Sequence, residues 1–147
     1  MRKLLQEAVL EEERPNVRLH AVKAMELLAK ESKLDGELIE TLLFLLEREK
    51  NTGVRLRILS VLEGRNDDPL VKTMLMRIVL NDPDEAVRIR AMQTFTKGLI
   101  SLEDMHMMRK VIKSDSNSYV RQMAEGVLEK LTETNREEEQ TTSQEQI

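Results

Sequence analysis

Four arginines are the first residues in this chain placed where they could grip an acidic ligand. Arg18, Arg55, Arg88 and Arg121 each follow a valine, at Val17, Val54, Val87 and Val120. A guanidinium presents five N–H donors in one plane, and several in register could hold carboxylates along a ladder. Each arginine, however, sits about 100° around a helix from its valine. That direction places it beside the seam between successive repeats, where pairing with carboxylates or loop carbonyls of a neighbouring repeat is the expected role. A second set comes from counting three, six and ten residues after each valine. It gives His20, Lys23, Leu27; Arg57, Ser60, Gly64; Arg90, Gln93, Lys97; and Met123, Gly126, Lys130. Lys23, Arg57, Arg90, Lys97 and Lys130 are basic and none of the twelve is acidic, which makes this stripe the candidate binding surface for an acidic segment. The small Ser60 and Gly64 would admit a peptide backbone closely. The bland alternative is a solvated charged face.

Other chemistry finds little support. Met105-His106-Met107-Met108 offers thioethers and an imidazole, the soft donors that suit copper. Consecutive helical residues fan out by about 100° and cannot converge on one ion, and Met108 falls on an apolar position held elsewhere by Leu42 and Leu75. Methionine there reads as core filler. The chain has two histidines, no cysteine and no tryptophan. No glycine-rich phosphate loop or nucleophile elbow occurs. Glu63, Asp67 and Asp68 read as solvated or capping acids at helix ends. No enzyme activity, metal or cofactor is expected.

The elements that must position the arginines and the basic stripe follow from the repeat itself. The valines are spaced by 37, 33 and 33 residues, a period typical of stacked helical hairpins. Four and eight residues after each valine stand Ala21 and Met25, Ile58 and Leu62, Ala91 and Phe95, Ala124 and Leu128. Upstream, a second apolar stripe is formed by Leu5, Ala8, Val9; Leu42, Leu45, Leu46; Leu75, Ile78, Val79; and Met108, Val111, Ile112. Each repeat therefore holds two amphipathic helices. Asn51, Asp84 and Asn117, three residues before their valines, are placed to cap the second helix, and Pro15 suits the first helical position after Arg14. The expected helices are 2–12, 15–31, 36–49, 52–64, 68–81, 84–98, 102–113 and 117–132. Gly36, Gly64, Pro83 and Gly98 fall in the joints.

These features resemble the HEAT-repeat family, whose second helix commonly opens on a motif such as Asp82-Pro83-Asp84-Glu85-Ala86-Val87-Arg88 here. The resemblance covers residues 2 to 132 and implies an all-α superhelical solenoid of about four hairpins. Gly53-Val54-Arg55-Leu56 and Asn117-Ser118-Tyr119-Val120-Arg121 are similar to short bacterial modules found at the C-terminal part of anti-sigma-like regulators. The zinc-binding part that precedes such modules is not in this sequence. Family branches with di-iron hydroxylase or repair glycosylase activity need histidine ligands or tryptophan that this chain lacks.

Positions two and five after the valine are apolar in three repeats and become Gln122 and Glu125 in the fourth, which reads as a C-terminal cap. The expected organisation is a HEAT-repeat domain over 1–132, with repeats at 1–32, 33–65, 66–99 and 100–132, and a disordered polar tail over 133–147. The net charge is −4, and the five acids and one base after Leu131 account for all of it. A neutral body argues against a binder that works by bulk attraction to nucleic acid. No apolar run reaches the length of a membrane span and the first residues do not form a secretory leader. The expectation is a cytoplasmic, monomeric, non-catalytic scaffold that binds another protein or an acidic peptide. The alternative is a nucleic-acid or phosphate-binding module that uses the basic face.

Overall fold

The computed structural model describes residues 2–31 and 35–145. The repeat boundary expected at residues 32 and 33, the side chains of Leu5 and Val9, and the last two residues of the chain lie outside what is described. Among the described residues there are eight α-helices and no strand: α1 (Arg2–Leu10), α2 (Pro15–Lys30), α3 (Gly36–Arg48), α4 (Thr52–Val61), α5 (Pro69–Asn81), α6 (Glu85–Thr96), α7 (Met105–Ser114) and α8 (Ser118–Glu145). They fall into two compact units, Met1–Gly98 and Leu99–Ile147. The fold is an α-solenoid type built from four helical hairpins, three in the first unit and one in the second.

Helix starts follow the capping chemistry. Asn51 Oδ1 accepts from the Val54 amide at 3.1 Å, Asp84 Oδ1 from Ala86 at 3.0 Å, and Asn117 Oδ1 from Val120 at 3.0 Å. Asp35 and Asp68 cap α3 and α5 in the same way. Arg14 gives α2 no side-chain cap, and Pro15 opens that helix without an amide to satisfy. A short 3-10 turn, Leu102–Asp104, precedes α7. Its Asp104 carboxylate accepts from the Ser101 amide at 2.8 Å and hydroxyl at 3.2 Å.

In the first unit, first helices stack on first helices (α1, α3, α5) and second on second (α2, α4, α6). The second helices pack on one another more extensively than the first helices do. By resemblance to other HEAT-type stacks, the second helices are the layer expected to line the concave side of this unit. The core between the two layers consists of Met25, Leu42, Leu46, Ile58, Leu62, Leu75 and Phe95, all fully buried. Burying each such side chain contributes about 1.5–3 kcal/mol. Val22, Leu59 and Met92, at the seam positions of the repeat, are also fully buried. Two polar links tie α6 back to α4 and to the joint that follows α4. Thr94 Oγ1 donates to the Leu59 carbonyl at 3.1 Å, and the buried Asn66 Nδ2 donates to the Phe95 carbonyl at 2.6 Å. Gly64, at φ 78°, turns the chain out of α4 in a conformation that glycine tolerates best.

In the second unit α7 packs along α8, with Met107, Met108, Val111, Val120, Ala124 and Val127 buried. Gln122 and Glu125 are exposed. The helix expected to stop at residue 132 continues to Glu145. No Gly or Pro interrupts the chain after Gly126. Its Thr134, Thr141, Thr142 and Ser143 hydroxyls donate to carbonyls four residues earlier. The added turns present almost entirely exposed side chains.

Candidate functional site

Each repeat arginine reaches toward the turn between the two helices of a hairpin. Arg18 donates Nη1 to the Glu12 carbonyl at 2.8 Å, and Nε and Nη2 to the two carboxylate oxygens of Glu49 at 2.6 and 2.9 Å. Glu49 belongs to the following hairpin. Arg55 repeats the grip on Asp82 of the hairpin after that, with Nη1 at 3.1 Å from Oδ1 and Nη2 on Oδ2. Arg88 donates to the Asp82 carbonyl at 2.9 Å. In the second unit Arg121 donates to the Asp115 carbonyl at 2.7 Å.

The acids in this scheme escaped the sequence reading, although the signal was present. Glu12, Glu49, Asp82 and Asp115 stand five residues before each valine. Each also accepts from the amide two residues on, at Arg14, Asn51, Asp84 and Asn117, at 2.8–3.0 Å. One carboxylate thus shapes its own turn and, in the first unit, receives the arginine of the previous hairpin at Glu49 and Asp82. Glu12 is held instead by Arg14 of its own turn. That hydrogen bond draws the Glu12 carboxyl down to about 2. Burial pushes Glu49 up, but Arg18 and the Asn51 and Lys50 amides outweigh it, so its carboxyl lies below the usual range. Asp84 is lowered chiefly by the Thr52 hydroxyl, which donates to it at 2.7 Å.

The basic stripe divides between the two units. Lys23, Arg57 and Arg90 lie on the consecutive, mutually packed helices α2, α4 and α6, and Lys97 closes α6. Lys130 lies on α8 in the second unit and is exposed. Two of the first unit's four are already partnered. Arg57 Nε stands 2.8 Å from Glu26 Oε2, and Lys97 Nζ stands 2.6 Å from Glu63 Oε1. Glu26 and Glu63 occupy the position nine after the valine, just outside the positions counted in the sequence. Arg57 Nε meets its acid off the hydrogen-bonding direction and has no aligned acceptor. Lys23 and Arg90 make no ion pair with the described residues. Between α2 and α4 lies a cleft of about 530 Å³ lined by Glu26, Lys30, Arg57, Ser60, Glu63 and Arg65. It offers both signs of charge, with Ala29 and Val61 adding apolar surface.

The Met-His-Met-Met segment does not converge. Met107 and Met108 are buried while His106 is exposed. Glu63 and Asp67 are exposed, and Asp68 caps α5. No helix among the described residues is long and apolar enough to cross a membrane.

Stacked helical hairpins, joined in the first unit by the Arg18–Glu49 and Arg55–Asp82 pairs, define an α-repeat protein of the solenoid class. Residues 2–96 match the family profile described as HEAT repeats. The chain belongs to the HEAT-repeat family. Comparison with curated proteins gives no match.

Proposed function

We infer that the chain is a non-catalytic protein-binding scaffold whose concave second-helix face holds an extended acidic segment of a partner protein. The observation that carries this reading is the pairing state of the stripe. Lys23 and Arg90 are available on α2 and α6 with no carboxylate of their own. Arg57, between them on α4, is half-exposed, and its Nε stands 2.8 Å from Glu26 Oε2 without an aligned hydrogen bond. A partner carboxylate that reached the Arg57 guanidinium would add aligned, charge-assisted hydrogen bonds that Glu26 does not supply. The helices are fixed by the core, so the surface is preformed and binding costs little ordering entropy. Lys97 is a weaker contributor, since Glu63 must first release it.

The same pairing disfavours a phosphate-backbone reader. Glu26 and Glu63 lie among the bases and leave the face little net positive charge, which weighs most against a ligand held by bulk counterion release and least against one placed by bidentate pairing. Arg57→Glu with Arg90→Glu tests the reading in a partner pull-down and titration, after the double variant is shown to melt like the parent. Retention of the natural partner at full affinity would remove the stripe from consideration.

A further inference from the structure

On the first-helix side of the first unit, α3 and α5 leave a groove of about 320 Å³ whose lining includes Leu43, Phe44, Leu70 and Met74. Phe44 is 44% exposed and Leu70 55% exposed. The chain has two phenylalanines, and the other, Phe95, is fully buried. The charges around Phe44 are ordered along the helix. Glu40, Phe44 and Arg48 follow one another at intervals of four, one turn apart on one face of α3. Glu40 is exposed and makes no hydrogen bond or ion pair with the described residues. Arg48 lies over the Phe44 ring, 4.1 Å from its centroid, and meets no carboxylate. On α5, Arg77 is neutralised by Glu47 at 2.7 Å. The remaining pattern is an open acid one turn before an exposed ring and an open base one turn after it.

Such a pattern is its own complement under a two-fold axis. When two α3 helices cross antiparallel with their Phe44 rings at the axis, Glu40 of each copy faces Arg48 of the partner subunit, and both unpaired charges are matched twice over. We propose that the chain forms an isologous dimer through its α3 and α5 face, antiparallel, with Phe44 at the two-fold axis and reciprocal Glu40–Arg48 pairs flanking it. A guanidinium stacked on a ring keeps its N–H edge in plane and open to a carboxylate, so the ring contact and the new pair are compatible. Leu70 and Met74 supply the apolar margin. The surface is small. Two 13-residue helices are each about 20 Å long and about 10 Å apart, which gives a footprint near 400 Å² per copy. That is the low end for specific association, and the dimer exchanges reversibly with monomer. This face lies opposite the concave helices, so the dimer and the peptide site stand or fall separately.

The test is sedimentation velocity on the full chain from about 10 µM to about 1 mM, a range that spans weak specific association. The weight-average mass of the parent rises toward twice the monomer. Phe44→Glu holds it at the monomer value throughout with an unchanged circular dichroism spectrum, and the milder Phe44→Ser serves if the glutamate disturbs folding. Glu40→Arg and Arg48→Glu each weaken association at least tenfold, because like charges then meet across the axis. Together the two substitutions restore it to within about threefold of the parent. A parent that stays monomeric up to the highest concentration overturns the proposal. So does a dimer that survives Phe44→Glu, or a double charge swap that fails to restore what the single swaps remove.

Discussion

Glu49 has a side chain only 2% exposed and depends on Arg18 for two hydrogen bonds. Arg18→Ala leaves that carboxylate buried and under-satisfied, so urea unfolding at neutral pH should show a loss of about 1–3 kcal/mol. Arg88→Ala removes the donor to the Asp82 carbonyl and should also destabilise. Arg14→Ala acts on an exposed pair and should leave stability nearly unchanged. Unchanged stability in Arg18→Ala or Arg88→Ala with weakened partner binding would move those arginines from the framework to the recognition surface. The same contacts set a pH response. Glu49 and Asp84 have carboxyls below their ordinary values. The unfolded chain therefore binds protons first as acid is added. The stabilisation is complete above the ordinary carboxylate range near pH 4 and fades as pH falls through the depressed folded values. Arg18→Ala should flatten that acid limb in unfolding curves taken from about pH 5 to about pH 2. The arginines were legible in the sequence because each follows a conspicuous valine. Their acids were not, because the position changes from Glu in the first two repeats to Asp in the last two, and it lies outside the apolar stripes that mark the repeat.

Helices and joints show the same division between what local chemistry fixes and what packing decides. The caps at Asn51, Asp84 and Asn117 were readable because the side-chain oxygen and the amides it accepts from lie within three residues. Gly98 was readable as a joint but not for its reason. A Cβ there would overlap Asn66 Cγ and Cβ, a residue 32 positions earlier, and displace the buried amide that satisfies the Phe95 carbonyl. Gly98→Ala should therefore cost about 1–3 kcal/mol, a penalty that Asn66→Ala in the same background should not double, as a thermal or urea series would show. The end of α8 went the other way. Polar composition after Leu131 suggested an end to order, yet a helix already nucleated by its packed first half adds turns at little cost. Its extension presents exposed side chains, with Arg136, Glu137, Glu138 and Glu139 facing solvent. Removal of residues 134–147 should lower the far-ultraviolet helix signal and shift Tm by less than about 2 °C. A larger fall would mean that these turns pack on the rest of the chain.

At the scale of the molecule, charge is distributed to favour short, matched contacts over a long-range field. The net charge of −4 belongs to the segment after Leu131, and the acids Glu26 and Glu63 sit among the bases of the concave helices. The neutral body was legible in the sequence. The pairing was not, because it depends on which side chains of successive helices meet across the stack. The reading of the concave face as a peptide site thus makes a quantitative claim about salt. With Lys23, Arg57 and Arg90 as its main unsatisfied or poorly satisfied bases, the first unit can displace counterions from about three phosphates. Single-stranded DNA should then bind only weakly, with a log–log salt slope of about −2, and binding should be lost near physiological ionic strength. An oligoglutamate peptide of equal charge, able to align its carboxylates with the guanidinium of Arg57, should hold its affinity better over the same range. Fluorescence anisotropy with both probes, on the parent and on Arg57→Glu with Arg90→Glu, separates the two readings. A steep slope shared by both probes would identify a general polyanion surface, whereas a shallow slope for the peptide that the double variant abolishes would tie recognition to those two guanidinium groups.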